Sequence, residues 1–194
     1  MGYVPKFIHF DKFIPIKYPV GVHWKHEYIR QGAKAIYDTF QEDLSNGISI
    51  TFVVRGASGA MIAGALLNEI HHIDPNVETY ILIVRKETDT EAHCSSLYGI
   101  DNIGGTRFVV VDDFICNGET IEAIIEALDN YFEDTEGIYK YDALCISNGI
   151  EADTLKKNKC DDYRMWKGIC RRFRYVMCCP KPKEVKEETD NGSS

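Results

Sequence analysis

Four short runs of apolar, mostly β-branched residues alternate with helical patterns, and this alternation limits the possible folds more than any other feature. The runs are SITFVV (49–54), TYILIV (79–84), TRFVVV (106–111) and ALCIS (143–147). Strands that are apolar throughout are buried on both faces, as in parallel sheets. Helical patterns occupy residues 23–44, 60–72 and 120–132. The alternation predicts a doubly wound α/β domain with a mostly parallel sheet.

The chain of 194 residues is long enough for one domain with a full core. We expect that domain over residues 1–179, with a core at about 49–150 and a disordered tail at 180–194. Residues 1–48 are predicted to form an extended arm and a long helix. Residues 151–179 form a C-terminal segment with a strand at 174–179. The tail is polar, charged and rich in turn-forming residues.

Composition and charge exclude several classes of function. The net charge of −8 argues against nucleic-acid and membrane-surface partners. No apolar run reaches the ~20 residues that span a bilayer, and the first residues do not have the pattern of a signal peptide. The seven cysteines form no C-x-x-C pair, which indicates free thiols in a reducing compartment. We therefore expect a cytoplasmic protein.

The segment VVVDDFICNGET, residues 109–120, has the features of a ribose-phosphate site. Asp112 and Asp113 follow a buried strand, where carboxylates need a cation or hydroxyl partners. A sugar diol offers two O–H donors, and Mg²⁺ can share the same oxygens. The turn through Asn117 and Gly118 then opens a helix, whose free N–H groups and dipole suit a phosphate. Taken alone, the two acids are equally typical of an ordinary acidic helix start.

Two further strand ends carry residues that suit an anion. After the first apolar run come Arg55, Gly56, Ala57, Ser58 and Gly59, which supply N–H groups and a hydroxyl. The second run is followed by Arg85, Lys86 and Glu87, and a long polar connection continues through His93 to residue 102. Each loop alone is also compatible with a plain turn or a solvated charged pair. Ligands of doubly wound sheets bind beyond the carboxyl ends of the strands, so we expect the three loops to converge.

Residues 109–120 resemble the signature of the type I phosphoribosyltransferases: apolar residues, two acids, three variable residues, then Thr/Ser-Gly-x-Thr. The resemblance implies that family's fold, with a small hood formed by terminal segments. It implies that Asp112 and Asp113 hold the ribose hydroxyls of phosphoribosyl pyrophosphate, and Mg²⁺ directly or through those hydroxyls or water. The 5′-phosphate would bind the turn made by Cys116, Asn117, Gly118, Glu119 and Thr120. All three loops follow the family's order over residues 49–132.

The activity that the resemblance implies is transfer of ribose 5-phosphate to a nucleobase, with release of pyrophosphate. Lys86 and Arg85 would contact the pyrophosphate, with Arg55 at the start of the pyrophosphate loop. Glu87 and His93 would lie in a mobile loop that closes over the site. Cys116 stands where enzymes for 6-oxopurines commonly have Asp, which favours adenine or orotate as the base. The resemblance also implies a homodimer.

Two function classes stay open. One is a Mg²⁺-dependent phosphoribosyltransferase of nucleotide salvage, such as purine salvage, or of nucleotide synthesis. The other is a non-catalytic protein of the same fold that binds phosphoribosyl pyrophosphate or a nucleotide as a regulatory ligand. Asn117 in place of Thr or Ser, the charge of Glu119 and the lack of a further lysine in the mobile loop favour the binder. The preserved acid pair and the basic pair Arg85–Lys86 favour the enzyme, which is our prediction.

Overall fold

The computed structural model describes residues 5–9, 26–85, 97–98, 105–114, 118–131, 141–148 and 168–178. Their elements in chain order are β1 (Lys6–His9), α1 (His26–Ser45), β2 (Ser49–Arg55), α2 (Gly56–Ile73), β3 (Thr79–Val84), β4 (Leu97–Tyr98), β5 (Thr106–Phe114), α3 (Glu119–Tyr131), β6 (Tyr141–Asn148) and β7 (Phe173–Cys178). Residues 168–170 add a helical turn before β7. Over these ranges, every helix is too short or too polar to span a lipid bilayer.

The seven strands of the described residues form one sheet in the order β1-β7-β6-β5-β2-β3-β4. All neighbouring pairs are parallel except β3 and β4. The doubly wound, mostly parallel sheet predicted from the sequence is therefore confirmed. Two strands were not predicted. β1, in the N-terminal arm, is an outermost strand that pairs with β7, and β4 lies within the long polar connection that follows β3.

Helices cover both faces of the sheet. Successive residues of each strand point to opposite sides, so alternate residues pack against different helices. In β2, Phe52 and Val54 belong to the core under α1 and α2, whereas Val53 belongs to the core under α3. The first core includes Ile36, Phe40, Ile62, Leu66 and Ile70, and the second includes Ile121, Ile124 and Leu128, all buried. Two apolar faces on each strand explain why the runs read as continuously hydrophobic.

The element boundaries differ from the prediction at the two strand ends that matter most for function. β2 continues through Arg55 and α2 begins at Gly56, so residues 55–59 form a strand end and a first helical turn instead of a loop. β5 continues to Phe114, which makes Asp112 and Asp113 strand residues. The apolar run ends earlier, but pairing with β6 extends the strand, since Phe114 is still matched with Asn148.

A charged cluster ties α1 to the amino ends of β5 and β6. Arg107 donates to both carboxylate oxygens of Asp43 at 2.7 Å and approaches Asp142 Oδ1 at 3.5 Å. The hydrogen bond from Arg107 lowers the pKa of the Asp43 carboxyl. Burial raises the pKa of Asp142, although the N–H of Phe108, which donates to Asp142 Oδ2 at 2.9 Å, and the charge of Arg107 act to lower it. This cluster lies at the amino ends of the strands, away from their carboxyl ends, so we assign it a structural role.

Candidate functional site

The chain changes direction across the sheet between β2 and β5. These strands are neighbours, but β2 leads through α2 to β3 on one side, and β5 leads through α3 to β6 on the other. Crossover connections between parallel strands are right-handed, so two connections that run in opposite directions along the sheet place their helices on opposite faces. The helix starts therefore separate and leave a crevice at the carboxyl edge of the sheet. Such a switch point is where doubly wound sheets bind their ligands.

A glycine in a left-handed conformation lies at the start of each of the two helices at this crevice. Gly56 is the first residue of α2, and Gly118 immediately precedes α3. Gly56 has φ +85° and Gly118 has φ +87°, values that L-amino acids with a side chain rarely adopt. The carbonyl of Gly118 accepts the N–H of Glu122 at 2.9 Å, the first hydrogen bond of α3. At α2, the flanking residue Arg55 makes no side-chain capping hydrogen bond. The two turns thus direct the N-terminal ends of both helices, which favour anions, to one edge of the sheet.

Arg55 and Asp112 lie near the carboxyl ends of neighbouring strands. Val53 of β2 and Val110 of β5 are the last residues paired between these strands, and Arg55 and Asp112 each lie two residues beyond them. Because alternate residues share a face, both lie on the α3 side of the sheet, as Val53 and Val110 do. Asp112 is buried, with only 6% of its surface exposed. The Asp112 carboxyl group and the Arg55 guanidinium group therefore lie near each other at the floor of the crevice.

The Arg55 side chain has an unsatisfied donor. Its Nε is buried and has no hydrogen-bond partner within the described part of the chain. A buried donor without a partner costs free energy comparable to a lost hydrogen bond, about 1–3 kcal/mol. An anion bound in the crevice would supply the missing acceptor. This observation gives Arg55 more weight than its sequence context alone gave it.

The other predicted residues are distributed around this edge where the structure describes them. Asp113 follows Asp112 in β5, and Arg85 follows directly after β3, whose last residue pairs with Arg55. Ala57, Ser58 and Gly59 lie in the first turn of α2, and Glu119 and Thr120 begin α3. Lys86, Glu87, His93, Cys116 and Asn117 lie outside the described residues. The three strand ends predicted to converge do lie at one edge of the sheet.

A fourth strand end reaches the same edge and was not assigned to the site from the sequence. β6 ends at Ser147 and Asn148, and Asn148 is level with Phe114, two residues beyond Asp112. The signal was present, because an apolar run gives way there to Ser-Asn-Gly, as the other runs give way to polar turns. The run at 143–147 was predicted to be a strand, but no residue at its polar end was assigned to the site.

The donors available at the crevice suit Mg²⁺ only as an ion that is shared with a ligand. In the portions of the chain that the structure describes, no group of three His, Cys, Asp or Glu side chains could hold a metal ion. Mg²⁺ usually keeps several waters and binds through one or two carboxylates together with substrate phosphates. Asp112, buried near the end of β5, fits that limited role, and the Asp113 side chain lies outside the described part of the structure.

Comparisons with known proteins give a likeness in structure but none in sequence. No protein-family model matches the sequence, and no curated protein matches it. Among solved structures, the hypoxanthine phosphoribosyltransferase of Staphylococcus aureus is 16% identical, and the match covers 84% of this chain and 80% of that one with a TM-score of 0.41. The enzyme of Trypanosoma cruzi, in complex with IMP, is 13% identical over 86% of this chain and 76% of that one, with a TM-score of 0.44. Likenesses of this size leave the substrate and activity of this chain open.

Proposed function

We propose that this chain is a Mg²⁺-dependent phosphoribosyltransferase, which transfers ribose 5-phosphate from phosphoribosyl pyrophosphate to a nucleobase and releases pyrophosphate. One observation carries the proposal: buried Asp112 lies at the switch point between β2 and β5, and two helix starts open at the same edge. A carboxylate suits a sugar diol, and helix N-termini suit phosphates. The resemblance of residues 109–120 to the family signature supports the same assignment.

The ribose 5-phosphate half of the ligand is assigned to the junction between β5 and α3. Asp112 and Asp113 accept hydrogen bonds from the 2′- and 3′-hydroxyls, and such bonds to a charged acceptor are stronger than neutral ones. The 5′-phosphate binds the N–H groups of the turn that contains Gly118 and the first residues of α3. Thr120, half-buried in the first turn, can add a hydroxyl donor.

The pyrophosphate half is assigned to the junction between β2 and α2. Arg55 offers its unsatisfied Nε, and residues 56–59 offer the N-terminal end of α2. Arg85, which follows β3 directly, and Lys86, the next residue in the sequence, are assigned to the pyrophosphate as well. Mg²⁺, when bound, neutralises part of the charge on the pyrophosphate oxygens.

The reaction is a displacement at ribose C1. The bond from C1 to the pyrophosphate oxygen breaks and the oxygen keeps the electron pair, while a ring nitrogen of the base forms the new bond to C1. A nitrogen that carried a proton releases it to water or a nearby base. The protein contributes positioning of the two reactants and stabilisation of charge on the leaving group.

The identity of the base depends on Cys116, which lies outside the described residues. Its thiol is a poor substitute for the Asp that handles a purine proton, so adenine or orotate remains the predicted base. The homodimer and the cytoplasmic location likewise remain predictions from the resemblance and the composition.

Two measurements test the proposed function. Calorimetry or thermal shift with Mg²⁺ should show that phosphoribosyl pyrophosphate binds, and absence of binding at millimolar ligand would remove the site assignment. Pyrophosphate release should then be followed with adenine, orotate, hypoxanthine, guanine and xanthine. Faster release with a 6-oxopurine than with adenine or orotate would refute the prediction made from Cys116.

A second candidate function is a non-catalytic binder of phosphoribosyl pyrophosphate or a nucleotide. It is favoured by Glu119, an exposed carboxylate at the first position of α3, where it adds negative charge beside the proposed phosphate. Ligand binding in calorimetry, together with no pyrophosphate release for any of the five bases, would establish this alternative.

A further inference from the structure

Gly59, in the first turn of α2, lies unusually close to the two strands that carry the proposed site. A Cβ added to Gly59 would lie 3.2 Å from Val54 Cβ and 3.3 Å from the carbonyl oxygen of Val111. Ordinary carbon contacts lie at 3.5–4.0 Å, so an alanine there would be crowded. Val54 immediately precedes Arg55, and Val111 immediately precedes Asp112. The contact therefore joins the start of α2 to both strand ends.

Neither neighbour of Gly59 can move aside easily. The Val54 atom is a Cβ, fixed to the backbone of β2, and the Val111 atom belongs to the backbone of β5. Both valines are buried, and β2 and β5 are paired with each other in the middle of the sheet. Any relief of crowding must therefore come from a shift of α2 away from the sheet. Such a shift would carry the N-terminal end of α2 away from Asp112.

We propose that Gly59 is a positioning residue, which sets the separation between the pyrophosphate-binding start of α2 and the ribose-binding end of β5. This inference rests on the proposed function, and it adds a positioning role to the contact with pyrophosphate predicted for Gly59. Phosphoribosyl pyrophosphate must reach both places at once, so its affinity depends on their separation. Ribose 5-phosphate or pyrophosphate alone needs only one of them.

The experiment compares Gly59→Ala with Gly64→Ala, a matched control in the same helix. A Cβ at Gly64 would have nothing within 4 Å, so that substitution leaves α2 in place. Calorimetry with Mg²⁺ would measure phosphoribosyl pyrophosphate, ribose 5-phosphate and pyrophosphate separately. For Gly59→Ala we expect a loss of about tenfold or more for the whole ligand, which is 1.4 kcal/mol, and clearly smaller losses for each half. Gly64→Ala should bind all three as the parent does.

The outcomes separate this inference from the proposed function. If the parent protein does not bind phosphoribosyl pyrophosphate, the proposed function fails. If the parent binds it and Gly59→Ala binds it as tightly as Gly64→Ala does, the positioning role is wrong and the function stands. Equal losses for the whole ligand and for both halves would also overturn the positioning role, because they indicate general damage to the site.

A second variant covers the case in which Gly59→Ala does not fold. Val54→Ala keeps the Cβ but removes the Cγ atoms, of which Cγ1 lies 3.6 Å from the position of the added Cβ, and so loosens the packing of α2 on β2 from the strand side. We expect it to weaken binding of phosphoribosyl pyrophosphate more than binding of either half. Unchanged binding of the whole ligand, or equal losses for all three ligands, would contradict the positioning role.

Discussion

Gly118 gives the sharpest test of the turn assigned to the 5′-phosphate. Its φ of +87° lies beyond the left-handed helical minimum near +57°, so an alanine there would be strained. A residue with a side chain in the left-handed region costs roughly 1–2 kcal/mol. Because 1 kcal/mol shifts the Tm of a chain of this size by about 2–4 °C, Gly118→Ala should lower the Tm by roughly 2–8 °C.

The effect on ligand binding should exceed this cost in stability. If the backbone relaxes to relieve the strain, the peptide groups at the start of α3 rotate, and their N–H groups no longer converge on one point. We expect binding of ribose 5-phosphate, measured by calorimetry, to weaken by about tenfold, equivalent to loss of one good hydrogen bond. Binding of pyrophosphate should change little, because it is assigned to α2.

Gly105 supplies the control for backbone strain without a site. It also has a positive φ, +66°, and a Cβ there would have nothing within 4 Å. It precedes β5 at the amino edge of the sheet, away from the crevice. Gly105→Ala should therefore lower the Tm and leave ribose 5-phosphate binding intact. Equal affinity for ribose 5-phosphate in the two variants would refute the phosphate turn at Gly118.

Four further outcomes are expected. The lowered pKa of Asp43 means that its charge stabilises the fold above pH ~4, so Asp43→Asn should cost about 1 kcal/mol at pH 7 and less as the pH falls through the folded-state pKa. The raised pKa of Asp142 means that its protonated form stabilises the fold at low pH and that this contribution is lost as the pH rises. In urea unfolding at pH 7, Asp142→Asn should therefore lower the free energy of unfolding less than Asp43→Asn does. The reverse order would contradict the argument from burial. Lys86→Ala should reduce pyrophosphate release by about a hundredfold and ligand affinity by less, whereas equal reductions would deny Lys86 a role in the transition state. Chelation of Mg²⁺ should abolish binding of phosphoribosyl pyrophosphate in calorimetry, and unchanged binding would remove the metal from the proposal.

The sequence was sufficient to predict the core of the sheet because β2, β5 and β6 are buried on both faces, and β3 is buried on one face and partly covered on the other. Apolar residues dominate such runs, so β2, β3, β5 and β6 were visible from the sequence pattern. β1 and β4 could not be found in this way. They lie at the two edges of the sheet, and each is held by pairing with one neighbour, β7 or β3. Edge pairing depends on tertiary structure, which leaves little trace in a run of four or two residues.

Local patterns predicted three of the four strand ends that meet at the crevice but not how these ends are built. A pair of acids and a glycine reads as a loop, because nothing in the sequence reports that β6 continues alongside and extends β5 through Asp112. The role of Gly59 was equally hidden. Small residues near a helix start suit an anion or close packing, and only the distances to Val54 and Val111 distinguish the two.

The charges around the crevice support the proposed role of Mg²⁺ in either function class. Among the described residues, Arg55 and Arg85 at the strand ends are offset by Asp112 and Glu119, and Asp113 adds another acid to the same edge. Lys86 can restore one positive charge, but phosphoribosyl pyrophosphate carries several negative charges on its 5′-phosphate and its pyrophosphate group. Like charges in a partly buried site repel strongly unless a cation lies between them. We therefore expect Mg²⁺ to enter with the ligand, and the carboxylates that would otherwise repel the phosphates would become its ligands or accept hydrogen bonds from the ribose hydroxyls.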